Sequence, residues 1–402
     1  MKNFLDRFKR TSLDFKLFVL AAGFTGFAGN LFNSVFNNYL NDTFGLSSLQ
    51  RTFLELPREI PGFLVVFVSA ILFFFSARRL AFLAIMLQAL GLALLGACSR
   101  TLSLMLIWLF INSLGAHIFM PLSSSIGMEL ASSGKTGRRL GQLSSVANFT
   151  AVLGSFFVFV GFKFFHLNFD RTFFIAAFVF ILAAISVFFM KKDSPHQPGV
   201  HLQFHRSYGL YYWLTILYGT RKQIFLTFAP WVLVTIFNQP TQTLATLLTI
   251  GGIAGIAFQP ALGKAIDTFG ERIILVSEAG VLVLVCLGYG FSRMVFGPTA
   301  AFIVTGACYV IDQLLMSVGM ARATYLKKIA LRPEHVAPTL AMGVTIDHFF
   351  SIAIALASGV IWQKLGYQYV FLCGACIAII NFFSAMKIRT DIRGRAHNPL
   401  AP

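Results

Sequence analysis

The sequence predicts an all-α integral membrane protein, with twelve transmembrane helices arranged as two pseudo-symmetric six-helix bundles. Three observations lead there. Apolar residues are in an excess that water cannot solvate, about twelve apolar stretches reach spanning length, and an internal repeat lays one half of the chain over the other. Of 402 residues, 57% are hydrophobic and 12% charged, and Phe alone occurs 46 times. A soluble chain of this length lacks the interior volume to hide that much apolar surface, so lipid has to solvate most of it.

A spanning helix needs about 20 mostly apolar residues. The first six stretches that qualify are residues 15–40, 54–75, 80–98, 101–129, 140–163 and 171–190, and the second six are 208–237, 241–263, 272–291, 298–325, 335–362 and 366–386. Residues 1–190 form one predicted bundle and 208–390 the other. Between them lies the longest polar stretch, 191–207, with Pro195, Pro198 and three histidines, read as a cytoplasmic linker. Residues 391–402 form a cytoplasmic tail. The first sixteen residues are basic and amphipathic and lead straight into an apolar run long enough to span, so they do not read as a cleaved signal peptide. The spacing of Cys373 and Cys376 matches a redox motif, but their setting is a lipid-facing helical pattern, and they read as ordinary helix residues.

Basic residues orient the spans. Most of the 32 Lys and Arg fall in the terminal segments and in the connections on the same side as the termini, including Arg78, Arg79, Lys135, Lys191, Lys264 and Lys327. The opposite connections hold Arg51, Arg100, Lys163, Arg171, Arg293 and Lys364. Both termini are therefore expected in the cytoplasm, with the protein a multi-pass component of the plasma (cytoplasmic or inner) membrane. The net charge of +17 is accounted for by this asymmetry. Nucleic-acid binding would need one continuous basic surface with interleaved aromatics, and no such surface is legible.

A shift of 193 positions carries Gly26, Asn30, Phe32 and Ser34 onto Gly219, Gln223, Phe225 and Thr227, and Ile60 and Gly62 onto Ile253 and Gly255. Each half has an even number of helices, so the repeat is parallel, about an axis normal to the membrane. After the eighth stretch the chain reads Gly263-Lys264-Ala265-Ile266-Asp267-Thr268-Phe269-Gly270-Glu271-Arg272. This resembles the cytoplasmic loop motif of the major facilitator superfamily, with Thr268 where the family has a basic residue. The corresponding first-half loop keeps the basic pair Arg78-Arg79 and lacks the aspartate. The resemblance implies a cavity lined by helices one, two, four, five, seven, eight, ten and eleven, alternating access by rocking of the halves, and a gating role for Gly263, Asp267, Gly270 and Arg272.

Ionisable residues inside spans carry the remaining information, because each costs about 2.5–3.5 kcal/mol at the bilayer centre even on lenient scales. Arg221 and Lys222 fall mid-span in the seventh stretch, with Gln223 beside them. Asp312 falls in the tenth, and Asp347 with His348 in the eleventh. Mutual pairing is expected. A permanent lock and a network that exchanges partners during transport both fit, and an acid next to an imidazole suits proton transfer. In the second stretch Arg58 and Glu59 sit between Pro57 and Pro61, a kinkable charged segment. Arg51 and Glu55 fall near the outer boundary, where water can solvate them. Asn30, Asn33 and Asn37 repeat at helical spacing and read as cavity lining, with helix-to-helix bonding as the competing role. His117 lies mid-span in the fourth stretch. Tyr211, Tyr212, Trp213, Tyr218 and Trp231 read mainly as membrane-interface aromatics.

The sequence shows no phosphate-binding loop, metal-ligand cluster or soluble catalytic domain, so the chain reads as a non-enzyme without cofactors. The expectation is a monomeric secondary active transporter in the lipid bilayer, binding a small-molecule solute of anionic character and no nucleic acid. Its coupling ion would be the proton, carried by Glu59, Asp312, Asp347 and His348, with sodium as an alternative. Asn30, Asn33, Asn37, Arg58, His117, Arg221, Lys222 and Gln223 are the expected solute-contacting or cavity residues. A lipid mover and a non-transporting sensor on the same scaffold are the competing functions.

Overall fold

The computed structural model describes residues 12–71, 76–131, 136–191, 204–332 and 335–389. The tail expected at 391–402, most of the 191–207 linker, Lys135 and the end of the second stretch lie outside the described residues.

Fourteen α-helices are present among the described residues. They are α1 (Leu13–Phe44), α2 (Ser48–Phe53), α3 (Glu55–Ile71), α4 (Ala77–Cys98), α5 (Leu102–Glu129), α6 (Thr136–Phe164) and α7 (Phe169–Phe188), followed by α8 (Gly209–Thr235), α9 (Thr241–Phe269), α10 (Glu271–Val295), α11 (Pro298–Leu315), α12 (Gly319–Ile329), α13 (Val336–Leu365) and α14 (Tyr367–Met386). Every expected span is represented by helix. Ten of them are long and apolar enough to cross a membrane. The second and seventh stretches are helical but fall short of that measure. The described part of α3 has 17 residues, and in α8 the run Arg221-Lys222-Gln223 interrupts the apolar pattern.

Polar residues at the stretch boundaries start these helices by accepting orphan backbone N–H groups. Thr101 Oγ1 accepts from Leu104 N at 3.3 Å, and Asn168 Oδ1 accepts from Arg171 N at 2.9 Å. Gly45, at φ +55°, stops α1 in a conformation that other residues adopt at a penalty. The tenth stretch is broken. A 3₁₀ turn at Met316–Val318 separates α11 from α12, and the Met316 carbonyl accepts from both the Gly319 N–H and, at 3.3 Å, Tyr218 Oη.

The chain forms two compact units, each with its own core. The first comprises residues 1–45, 56–199 and 239–256, and the second 46–55, 200–238 and 257–402. In the first, α1 packs on α6 and α7, and α4 packs on α5 and α7. In the second, α8 packs on α13 and α14, and α10 packs on α11 and α14. These are the same four pairings in repeat-equivalent positions, so the shift read from the sequence is a repeat of packing. Repeat-equivalent glycines mediate it. A Cβ at Gly26 would overlap the Ala147 carbonyl of α6, and one at Gly219 would overlap the Asp347 carboxylate of α13.

Candidate functional site

Two polar centres stand out, one in each unit. In the first, a cavity of about 200 Å³ is lined by Asn33, Arg58, Glu59, Gln88, Asn112, Ser113 and His117, with Phe32 and Phe180 among its apolar walls. Close approach of α4 and α5 builds it. A Cβ at Gly91 would lie 2.6 Å from the Asn112 nitrogen, and Asn112 Nδ2 donates to the Gln88 carbonyl at 3.2 Å. Ser113 Oγ donates to the Arg58 carbonyl at 2.5 Å, tying α5 to the Pro61-containing helix α3. Pro61 has no N–H to donate within the helix, and a side-chain hydroxyl adds a donor to the backbone near it. His117 Nδ1 is 2.9 Å from the Ser113 carbonyl oxygen and 3.2 Å from Ser113 Oγ. Four residues expected from sequence, Asn33, Arg58, Glu59 and His117, thus line one cavity.

Asn30 is used otherwise. Its Nδ2 donates to the Ala151 carbonyl at 2.9 Å and to Ser155 Oγ at 2.8 Å, bonding α1 to α6. Asn37 is buried. The asparagine stripe therefore divides: Asn30 bonds a neighbouring helix, and Asn33 faces the cavity.

The second centre is a buried charge network on α8, α10, α11 and α12. Arg221 pairs with Asp312, and its other terminal nitrogen lies 4.0 Å from Glu278. Arg322 Nη1 lies 3.3 Å from Glu278, and the Arg322 guanidinium stacks 3.5 Å over the Tyr218 ring. Beside it Lys222 pairs with Asp347 of α13, with side chains 17% and 13% exposed against 2% for Arg221 and for Asp312. The pairing expected for Arg221, Lys222, Asp312 and Asp347 is therefore present, enlarged by Glu278 and Arg322. Glu278 was missed by sequence reasoning, although a lone acid in the ninth apolar stretch is the same signal that singled out Asp312. Three interior cations meet three interior acids. The surplus of positive charge that motivated an anionic solute is thus absent from this network.

Asp347 and His348, read as a proton-sharing pair, are consecutive on a helix and project about 100° apart. Asp347 Oδ2 is held by Lys222, and His348 is buried. Gln223 Nε2 donates to Glu55 Oε2 at 2.9 Å and to Thr227 Oγ1 at 3.0 Å. Arg51 Nη1 lies 2.6 Å from Glu55 Oε1, with the two side chains 0% and 1% exposed. The expectation that water solvates Arg51 and Glu55 fails, because the short helix α2 that carries Arg51 packs on α13. Tyr211, Tyr212 and Trp231 are likewise buried in packed interior and are not presented to headgroups.

The loop-motif residues lie at the α9–α10 junction. Asp267 and Arg272 are exposed, and among the described residues neither forms an ion pair. Gly270, at φ +81°, makes the turn. Glu271 stands at another basic position of the motif and pairs with Lys328 at 2.7 Å. In the first unit, where the loop lacks the aspartate, Arg78 meets acids from other helices. It pairs with Asp14 at 3.1 Å and Glu129 at 2.6 Å, and donates to the Lys191 carbonyl.

Repeated bundles, buried charge networks and apolar spanning helices define a multi-pass membrane protein of transporter architecture. The chain belongs to the Major Facilitator Superfamily, whose family model matches residues 18–342. Among solved structures it is similar to a D323A mutant of the nucleoside transporter NupG (TM-score 0.76, 13% identity, covering 94% of this chain and 100% of that one). It is also similar to a D-xylose-proton symporter (TM-score 0.70, 14% identity, 95% and 98% covered). A POT family transporter in complex with 5-aminolevulinic acid gives a TM-score of 0.75 at 11% identity, with 92% and 94% covered. At such identities these likenesses show the fold alone. Comparison with curated proteins gives no match.

Proposed function

We propose that this chain moves a small polar organic solute across the cell inner membrane by alternating access, as a monomer, with protons as the coupling ion. The rocking bodies would be the halves 1–190 and 208–390, with both termini in the cytoplasm, as the basic residues indicate. The carrying observation is the difference between the two ion pairs of α8. Arg221–Asp312 is sealed and held on a second side by Glu278. Lys222–Asp347 is the more accessible pair, and Asp347 Oδ1 is buried without a hydrogen-bond partner. A carboxylate with one oxygen committed and one unsatisfied can take a proton and release its lysine, which is what a partner-exchanging coupling site requires. The sealed pair acts as the rigid frame against which that exchange occurs. Glu59 and His117 supply further titratable groups in the first unit, and a proton-coupled symporter among the structural neighbours supports the same reading.

The test is gradient-driven uptake in proteoliposomes of solutes first selected by thermal stabilisation of purified protein. Asp347→Asn should abolish accumulation against a gradient while sparing solute exchange. Uptake that follows sodium and ignores protons would overturn the coupling. Lipid scrambling without solute flux, or binding without any flux, would overturn the transport reading itself. Labelling, from one side of vesicles, of single cysteines introduced at each terminus tests the orientation.

A further inference from the structure

We infer that His335 is the titrating element of a latch, formed with Tyr208 and His205, that ties the start of α8 to the start of α13 and opens when the imidazole takes up a proton. The inference goes beyond the transport reading and does not depend on it. Tyr208 ends the 3₁₀ turn Arg206–Tyr208 that leads into α8, and His335 stands at the N-cap of α13. The Tyr208 side chain is buried, and its hydroxyl has two partners. Its Oη accepts from the Leu331 N–H at 3.0 Å and lies 2.9 Å from His335 Nδ1. His205 lays its ring on that of His335, with centroids 4.0 Å apart and planes 18° from parallel. Phe204 stacks on Tyr212 of α8 at 4.8 Å, which seats the same segment on the bundle. The latch thus joins the ends of the two helices that carry Lys222 and Asp347, each about 20 Å along its helix from that ion pair.

Three features set a proton on His335 against the closed latch. First, the Leu331 N–H already points at the Tyr208 oxygen, so the single hydroxyl hydrogen goes to an unprotonated Nδ1. A proton on that nitrogen seals the hydroxyl hydrogen away without an acceptor. Second, the charge would sit at the N-terminal end of α13, where the helix dipole is positive. Third, it would lie against a second imidazole that gains its own proton in the same pH range. The charged groups of the surrounding elements do not offset this. Arg206, Arg332 and Lys327 are exposed cations, and Lys328 is held by Glu271 of α10. Tyr211, Tyr212 and Tyr325 are buried phenols, and Glu334 lies outside the described residues. Among the described residues no carboxylate pairs with His335. The latch is therefore closed above the ordinary imidazole range, about pH 6.5, and opens as pH falls through it. Under the orientation proposed above, it responds to the cytoplasm.

The test uses the full-length protein purified in detergent, which exposes both faces to one buffer and needs no flux. Hydrogen exchange at the Leu331 amide is followed by mass spectrometry at about pH 7.5 and about pH 5.5, on either side of the imidazole range. Labelling times are scaled to the intrinsic exchange rate at each pH. After that scaling the amide should exchange about fivefold faster at the lower pH, the loss of one net hydrogen bond. Tyr208→Phe should exchange at the fast level at both pH values. His335→Gln, which cannot be charged, should abolish the difference, whether its amide is protected or open. Asp347→Asn should retain the difference, so that failure of the coupling site leaves the latch standing. The inference is overturned if the parent exchanges alike at both pH values, if His335→Gln keeps the parent's difference, if Tyr208→Phe protects the amide as the parent does, or if Asp347→Asn removes the effect.

Discussion

Arg221 of α8 and Asp312 of α11 form an ion pair whose two side chains are each only 2% exposed, with the Glu278 carboxylate 4.0 Å from the other terminal nitrogen of the arginine. Removing one member strands the other charge in a dry interior. Asp312→Asn or Arg221→Met should lower stability by roughly 3–5 kcal/mol, and the double variant Arg221→Met with Asp312→Leu should recover most of that loss. Unfolding midpoints in detergent measure both. A double variant no better than the singles would show that the network, and not the pair, is the stable unit.

Gly219 is the point at which α8 passes Asp347. An added methyl group overlaps the carboxylate, so Gly219→Ala should displace Asp347 from Lys222 and reduce gradient-driven uptake as Asp347→Asn does, in a protein that remains folded. The equivalent change in the first unit, Gly26→Ala, presses on backbone at Ala147 and should act on stability. Paired melting and uptake measurements distinguish the two effects. Uptake unchanged in Gly219→Ala would show that the carboxylate can be relocated without consequence.

Asn30 bonds α1 to α6. Asn30→Leu should destabilise by roughly 0.6–2 kcal/mol, the span for an interhelical hydrogen bond in a membrane bundle, and leave solute affinity unchanged. Loss of affinity at full stability would return Asn30 to the lining role read from its spacing.

Arg78 holds three partners, whereas Glu129 is 45% exposed. Glu129→Gln should therefore change stability by less than about 1 kcal/mol, as exposed ion pairs do. Arg78→Gln should cost more, because Asp14 and the Lys191 carbonyl lose their donor together. Similar melting temperatures for the two variants would deny Arg78 its role in joining α1, α4 and the end of α7.

The sequence by itself determined what lipid and length demand. Apolar runs placed the helices, and a fixed shift between halves foretold that the second half would repeat the first. It also named Arg221, Lys222, Asp312 and Asp347 as charges in need of partners, since that need is a property of each residue in hydrocarbon. Only the tertiary structure decided who partners whom. Helical spacing says that Asn30 and Asn33 lie on related faces, but whether a face meets another helix or a cavity depends on the distance to α6, which no local pattern encodes. Adjacency in sequence suggested Asp347 with His348, yet the helix turns consecutive side chains about 100° apart and handed Asp347 to Lys222, 125 positions away. Glu278, Arg322 and the solvation of Arg51 were settled in the same way, by which helices approach closely enough for long side chains to meet.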